Sequence, residues 1–148
     1  MDYMKQALAE DVETGRLKAG MRLPTQRDLA YRLGLTTGTI GRAGIVRESD
    51  GLAMSSRNVY LTEEERERAL SLSRGLERAR TLFESGEMDA GKIVDAARAE
   101  LDRCNARVDY VEVVDPESLR PVKRVESPAR LAIAAHIGKT RLIDNMTL

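Results

Sequence analysis

The sequence predicts an α+β fold, a small antiparallel sheet with packed helices, preceded by a three-helix helix-turn-helix fragment. Three observations lead there. Between residues 62 and 103 apolar side chains recur at spacings of three and four, the period of amphipathic helices. From Val108 the pattern becomes β-branched and partly alternating, as in strands. Ahead of both, the segment from Gly15 to Ala43 carries Arg16, Lys18, Arg22, Arg27, Arg32 and Arg42 against Asp28 alone. That leaves +5 there in a chain of zero net charge.

With 148 residues the chain can form one ordinary domain or two small ones. A hydrophobic share of 42% and a charged share of 32% fit a globular protein, while 3% aromatic residues and no Trp leave an aliphatic core. The single cysteine, Cys104, excludes an intrachain disulfide framework and fits a reducing compartment; its place at a helix end suggests packing. No apolar run reaches the roughly 18 residues of a membrane span, and Asp2, Lys5, Glu10 and Asp11 interrupt any signal-peptide core. The expectation is a cytoplasmic protein with no membrane partner.

In chain order, Met4, Leu8 and Val12 mark an amphipathic helix from about Asp2 to Thr14, ended by Gly15. Gly20 and Pro24 form a connection. Thr25 caps a second helix with Asp28 in its first turn and Leu29, Ala30 and Leu33 on its apolar face; Gly34 stops it. Thr36 caps a third helix containing Thr39 and Ile40. Such a unit in a basic segment can lay a helix in a DNA groove, though a helical hairpin that merely packs is the commoner source of the pattern.

The stretch Asp50 to Asn58 has no apolar period. It brings Ser55, Ser56, Arg57 and Asn58 together after Gly51, and hydroxyls with a guanidinium fork suit phosphate. An ordinary solvated loop has the same composition. Beyond it Thr62 and Glu65 form a capping box, and Ala69, Leu72, Leu76, Ala79 and Phe83 predict one long helix to about Ser85, ended by Gly86. Asp89 caps a second helix with Ile93, Val94, Ala97 and Leu101 inward, closing near Arg103. Strands follow at Val108 to Val114 and Leu131 to Ile137, with a third at Leu142-Ile143; Pro116 and Pro121 punctuate the turn between the first two. His136, the only histidine, has no Cys or second His to make a metal site and reads as structural. Glu112, Asp115 and Glu117 read as a solvated face and turn. No residue suggests a nucleophile.

Ile45-Val46-Arg47-Glu48, Asp50 to Asn58 and Tyr60-Leu61 resemble the C-terminal domain of the pantothenate synthetase (pantoate–β-alanine ligase) family. Val108 to Glu117, Arg130 to Ala135 and Ile137 to Asn145 are similar to that family's later signatures, in order. The resemblance implies a domain over residues 44–148 whose Met-Ser-Ser-Arg loop meets ATP phosphates. ATP contacts would lie at Val46, Met54, Ser55, Ser56 and Arg57, with Mg accompanying the ATP. It places the catalytic groups, and the pantoate and β-alanine pockets, on a separate N-terminal domain whose motifs this sequence lacks, so no catalytic residue is assigned.

Residues 1–43 resemble a different family. Gly15-Arg16-Leu17, Gly20, Arg22 to Ala30, Leu33-Gly34-Leu35 and Thr36 to Ala43 are similar to the winged helix-turn-helix of GntR-type transcription regulators. That resemblance implies DNA contacts at Arg22, Gln26, Arg27, Thr36, Thr37, Thr39 and Arg42. The similarity breaks off at Ala43, inside the recognition helix, and Thr37 stands where many members carry Arg. Any DNA binding is therefore expected to be weak and non-specific.

Three functions fit the sequence. The first is the ATP-contacting lid of a pantoate–β-alanine ligase, inactive alone. The second is a fragment of a GntR-type regulator, and the third is a joined chain with no joint function.

Overall fold

The computed structural model describes residues 10, 11, 13–16 and 18, then 45–148 apart from Ser127. The chain divides into two compact units, Met1–Val46 and Arg47–Leu148. In the first, Glu10, Asp11 and Glu13 are helical, and the amide and hydroxyl of Thr14 both donate to the Glu10 carbonyl, at 2.9 and 2.6 Å. Gly15 follows with φ +72°, a conformation that Gly adopts without steric cost, so the helix stops where the sequence predicts. The two later helices expected in this unit, with all seven positions read as DNA contacts, lie outside the described residues.

The second unit begins with a 3-10 turn, Ser56–Tyr60. Helices α1 (Glu63–Ala69), α2 (Ser71–Glu84) and α3 (Ala90–Arg103) follow, and then strands β1 (Arg107–Val114), β2 (Arg130–Ile137) and β3 (Thr140–Thr147). The strands form an antiparallel sheet in the order β1-β2-β3, with Val111 opposite Ile133 and Ile133 opposite Asp144. This is the α+β architecture that the change of period predicts.

The two caps predicted in this unit, Thr62 and Asp89, form. Thr62 accepts from the Glu65 amide while the Glu65 carboxylate accepts from the Thr62 amide, a complete capping box. Asp89 accepts from the Lys92 amide at 3.0 Å. One expectation fails: the long helix to Ser85 is broken at Leu70, with ψ −15°, into α1 and α2. Ala69, Leu70, Ser71 and Leu72 are all buried. Consecutive residues of a straight helix point about 100° apart, so four in a row cannot share one inward stripe. The break lets both pieces bury them.

Helices α2 and α3 cover one face of the sheet. Leu72, Leu76 and Ala79 from α2 and Ile93, Ala97 and Leu101 from α3 meet Val111 and Val113 of β1 and the inward row Leu131, Ile133, Ala135 and Ile137 of β2. Truncating such a fully buried Leu or Ile costs about 2–5 kcal/mol. The two helices approach closely at Gly75, where a Cβ would stand 2.9 Å from the Ala97 carbonyl oxygen. The connection after β1 turns at Asp115, whose Oδ1 accepts from Glu117 N, Ser118 N and Ser118 Oγ. It then runs back along the α2–α3 turn through Ala90 N to Lys123 O and Val125 N to Met88 O.

Strand β3 is longer than the Leu142-Ile143 pair read from the sequence. Its inward row is Thr140, Leu142, Asp144 and Met146, with a carboxylate in the middle. That acid interrupts the apolar alternation and hides the strand.

Candidate functional site

The Ser-Ser-Arg loop is held by a small polar frame. Arg47 pairs with Ala53 across a tight turn in which Gly51, φ +95°, donates to Glu48 O at 2.9 Å and Glu48 N donates to Leu52 O at 2.8 Å. Arg47 Nη1 and Nη2 donate to Asp144 Oδ2 and Oδ1 at 2.6 and 3.1 Å, and Nη1 also reaches Gly51 O at 3.1 Å. Asn145 N gives Asp144 a third bond at 2.8 Å. Burial nonetheless pushes the Asp144 carboxyl above its ordinary range, with Arg47 opposing.

On the far side of the turn one guanidinium holds two acids. Arg66 of α1 donates from Nη2 to Glu48 and from Nε to Asp50 Oδ2 at 2.8 Å. Asp50 also accepts from Leu52 N at 3.1 Å, and that amide, with Arg66, holds its carboxyl below the usual range. Buried Asn58 closes the frame by donating Nδ2 to Glu48 and to Ala53 O at 3.0 Å.

The frame positions the predicted residues as follows. Ser55 caps the 3-10 turn, accepting from Arg57 N at 3.2 Å, and Asn58 N donates to Ser55 O at 3.1 Å. Met54 and Ser55 are half-buried, whereas Ser56 and Arg57 are exposed. Arg57 pairs with no carboxylate among the described residues and lines an open cleft of about 790 Å³ with Tyr60, Glu65, Gly138, Lys139 and Arg141. Val46, the remaining predicted ATP contact, belongs to the first unit.

Lys139 is the cleft residue that the sequence reading passed over. The Ile137 to Asn145 signature contains it, but nothing local says that the β2–β3 hairpin returns beside the 3-10 turn. Arg141, also in the cleft, is already engaged: its Nε donates to Asp109 Oδ2 at 2.7 Å and holds that carboxyl below its usual range. His136 Nδ1 lies 3.2 Å from Asp109 Oδ1. No group of three metal-ligating side chains occurs among the described residues, and none of their helices is long and apolar enough to cross a membrane. Cys104 caps α3 and is half-buried, its carbonyl accepting from Arg68 Nε at 3.0 Å.

Fold and site together define an α+β domain in which helices cover one face of an antiparallel meander and a cation-bearing cleft opens between a 3-10 turn and a hairpin tip. A family model described as pantoate-beta-alanine ligase matches residues 25–147. The chain belongs to that family.

It is 52% identical over 104 residues to the pantothenate synthetase of Fervidobacterium nodosum, an alignment that spans 70% of this chain and 37% of the relative. With the pantothenate synthetase of Anaeromyxobacter dehalogenans it shares 51% identity over 119 residues, 80% of this chain and 39% of the relative. The crystal structure of pantothenate synthetase from Thermus thermophilus superimposes with a TM-score of 0.67 at 34% identity, over 81% of this chain and 43% of that one. The chain thus spans well under half the length of these relatives. The family match begins at residue 25, inside the segment read as GntR-like and ahead of the boundary read at Gly44. The DNA-binding reading gains no support from these relatives.

Proposed function

We propose that this chain supplies the phosphate grip of a cytoplasmic pantoate–β-alanine ligase, and that it acts beside a separate domain carrying the adenine, pantoate and β-alanine pockets. In that reaction the pantoate carboxylate attacks the α-phosphorus of ATP and pyrophosphate departs; the β-alanine amine then displaces AMP from the adenylate. Negative charge shifts onto phosphoryl oxygens in the first step. Groups fixed in advance around those oxygens favour it.

The observation that carries the reading is Arg57, a guanidinium with no carboxylate partner among the described residues, set directly after Ser55 and Ser56 on a turn that Arg47, Arg66 and Asn58 brace. Met54 would pack beside the phosphates, and Val46 would lie against the nucleotide. Mg would travel with the ATP. Residues for acid and base chemistry are assigned to the separate domain, as the family resemblance implies; the one carboxylate of the cleft, Glu65, is engaged in the capping box.

Calorimetric titration with ATP tests this. A single loop without the rest of the nucleotide site should bind no tighter than about millimolar, on the order of 4 kcal/mol. Arg57→Ala should abolish the binding. Arg74→Ala should not, since Arg74 pairs with Glu67 at 2.7 Å on the helical side. Release of AMP by this chain alone, given pantoate and β-alanine, would overturn the division of labour.

A further inference from the structure

We propose that Lys139, at the tip of the β2–β3 hairpin, is the second cation of a polyphosphate cleft that Arg57 also lines. The ligand class is a chain of linked phosphates, either free pyrophosphate or the β and γ phosphates of a nucleoside triphosphate. In the second form the proposal rests on the ATP reading above.

The cleft's walls come from elements far apart in sequence, the 3-10 turn with Arg57 and Tyr60 and the hairpin with Gly138, Lys139 and Arg141. Its charges decide what it can hold. Arg141 is neutralised by Asp109, whereas Arg57 and Lys139 have no carboxylate partner among the described residues. Against these two stands Glu65, whose Oε2 accepts from the Thr62 amide at 3.1 Å. Two such cations outweigh one acid, so the cleft is set for an anion.

Geometry then favours an anion with two charged ends. Gly138, φ +57°, occupies the first central position of a two-residue hairpin turn, and the Ile137–Thr140 pair anchors the backbone on either side of Lys139. Arg57 sits on the braced loop, where its amide donates to Ser55 Oγ at 3.2 Å. Two cations that line one cleft of about 790 Å³ from different elements can each take one phosphoryl group of a linked pair, which also brings them more negative charge than a lone phosphate does. The cleft should therefore prefer pyrophosphate to orthophosphate.

The test titrates the full chain with orthophosphate, pyrophosphate and ATP, with thermal melts to show that each variant folds. Pyrophosphate should bind more tightly than orthophosphate, and Lys139→Gln should weaken pyrophosphate and ATP by about tenfold, the scale of one charge-assisted hydrogen bond. Glu65→Gln keeps a residue able to complete the capping box and should strengthen pyrophosphate binding by a few-fold, an effect that a merely structural role would not produce. Unchanged binding in a folded Lys139→Gln chain, or no gain from Glu65→Gln, would overturn the proposal. If Arg57→Ala weakens ATP and Lys139→Gln does not, Lys139 has no role while the ATP reading stands. If pyrophosphate binds through Lys139 while ATP does not bind, the cleft stands and the nucleotide reading falls. A wild-type chain that binds neither overturns both.

Discussion

Arg47 grips Asp144 with both arms of its guanidinium, at 2.6 and 3.1 Å, and so ties the residue that opens the candidate loop to the inward face of a strand 97 positions away. The Asp144 side chain is 1% exposed and that of Arg47 27%, so the carboxylate depends on this partner. Arg47→Met should destabilise the second unit by about 3 kcal/mol at neutral pH, the cost of leaving a buried charge uncompensated. The sign of the pH dependence follows from burial, which already raises the Asp144 pKa. Removing Arg47 raises it further, so folding increasingly favours the protonated acid. The variant's deficit should be full above the raised pKa and shrink as pH falls through it. Urea unfolding from pH 7 to pH 4 measures this, and a deficit that does not change with pH would contradict it.

A second prediction concerns Gly138. Its φ of +57° disfavours a side chain, and a Cβ there would collide with Glu65 Oε1. Gly138→Ala should cost about 2 kcal/mol, roughly half from left-handed strain and half from the displaced capping box. In a Glu65→Ala background the same change should cost only the strain. A double-mutant cycle showing no coupling would mean that the carboxylate is not held against the turn.

Gly75 makes the opposite case, because its backbone is ordinary and the constraint is its neighbour. Alanine is worth about 1 kcal/mol over glycine inside a helix. At this site the added Cβ would meet the Ala97 carbonyl at 2.9 Å, a backbone atom that cannot swing away. Gly75→Ala should therefore destabilise by about 1–3 kcal/mol despite its better propensity. An increase in Tm would show that α2 and α3 can separate at little cost.

These constraints mark where the sequence stops being legible. The caps Thr62 and Asp89, the stop at Gly86 and the strand over Val108 to Val114 are written in local chemistry, and they form. The break at Leu70 depends on what α1 and α2 pack against, and periodicity cannot say that. Ser55, Ser56 and Arg57 could be picked out as a group, but Lys139 joins Arg57 only through the return of a hairpin from the far end of the chain. Asp144 did leave a signal. A lone acid in the row Thr140, Leu142, Asp144 and Met146 demands a buried partner, though not which one.

The second unit has its own core of two helices and three strands, which motivates a truncation. A chain starting at Gly44 should unfold cooperatively in urea and keep its helix and strand signal by circular dichroism. The family match starting at residue 25 supplies the competing outcome. If a piece starting at Thr25 unfolds cooperatively and one starting at Gly44 does not, the ligase domain begins earlier than Gly44.

Arg66 gives the last prediction, because it links loop geometry to charge. One guanidinium joins Glu48 and Asp50, the residues that flank the tip of the turn leading into Ser55 to Arg57. Both partners are about a third exposed, so solvent screens the pair and Arg66→Gln should cost about 1 kcal/mol or less. Asp50 has a depressed pKa in the folded chain, to which the Leu52 amide contributes most and Arg66 less. Its contribution to stability is therefore present above the unfolded carboxylate range and lost as pH falls through the folded value. Part of that contribution belongs to Arg66, so the gap between wild type and Arg66→Gln should narrow below about pH 4. The larger effect should appear in ligand binding. A loop that must be ordered as it binds gives up affinity, and ATP should bind the variant several-fold more weakly although Arg66 is absent from the cleft lining. Titration of the folded variant with an unchanged ATP affinity would show that Arg47 and Asn58 hold the loop without it.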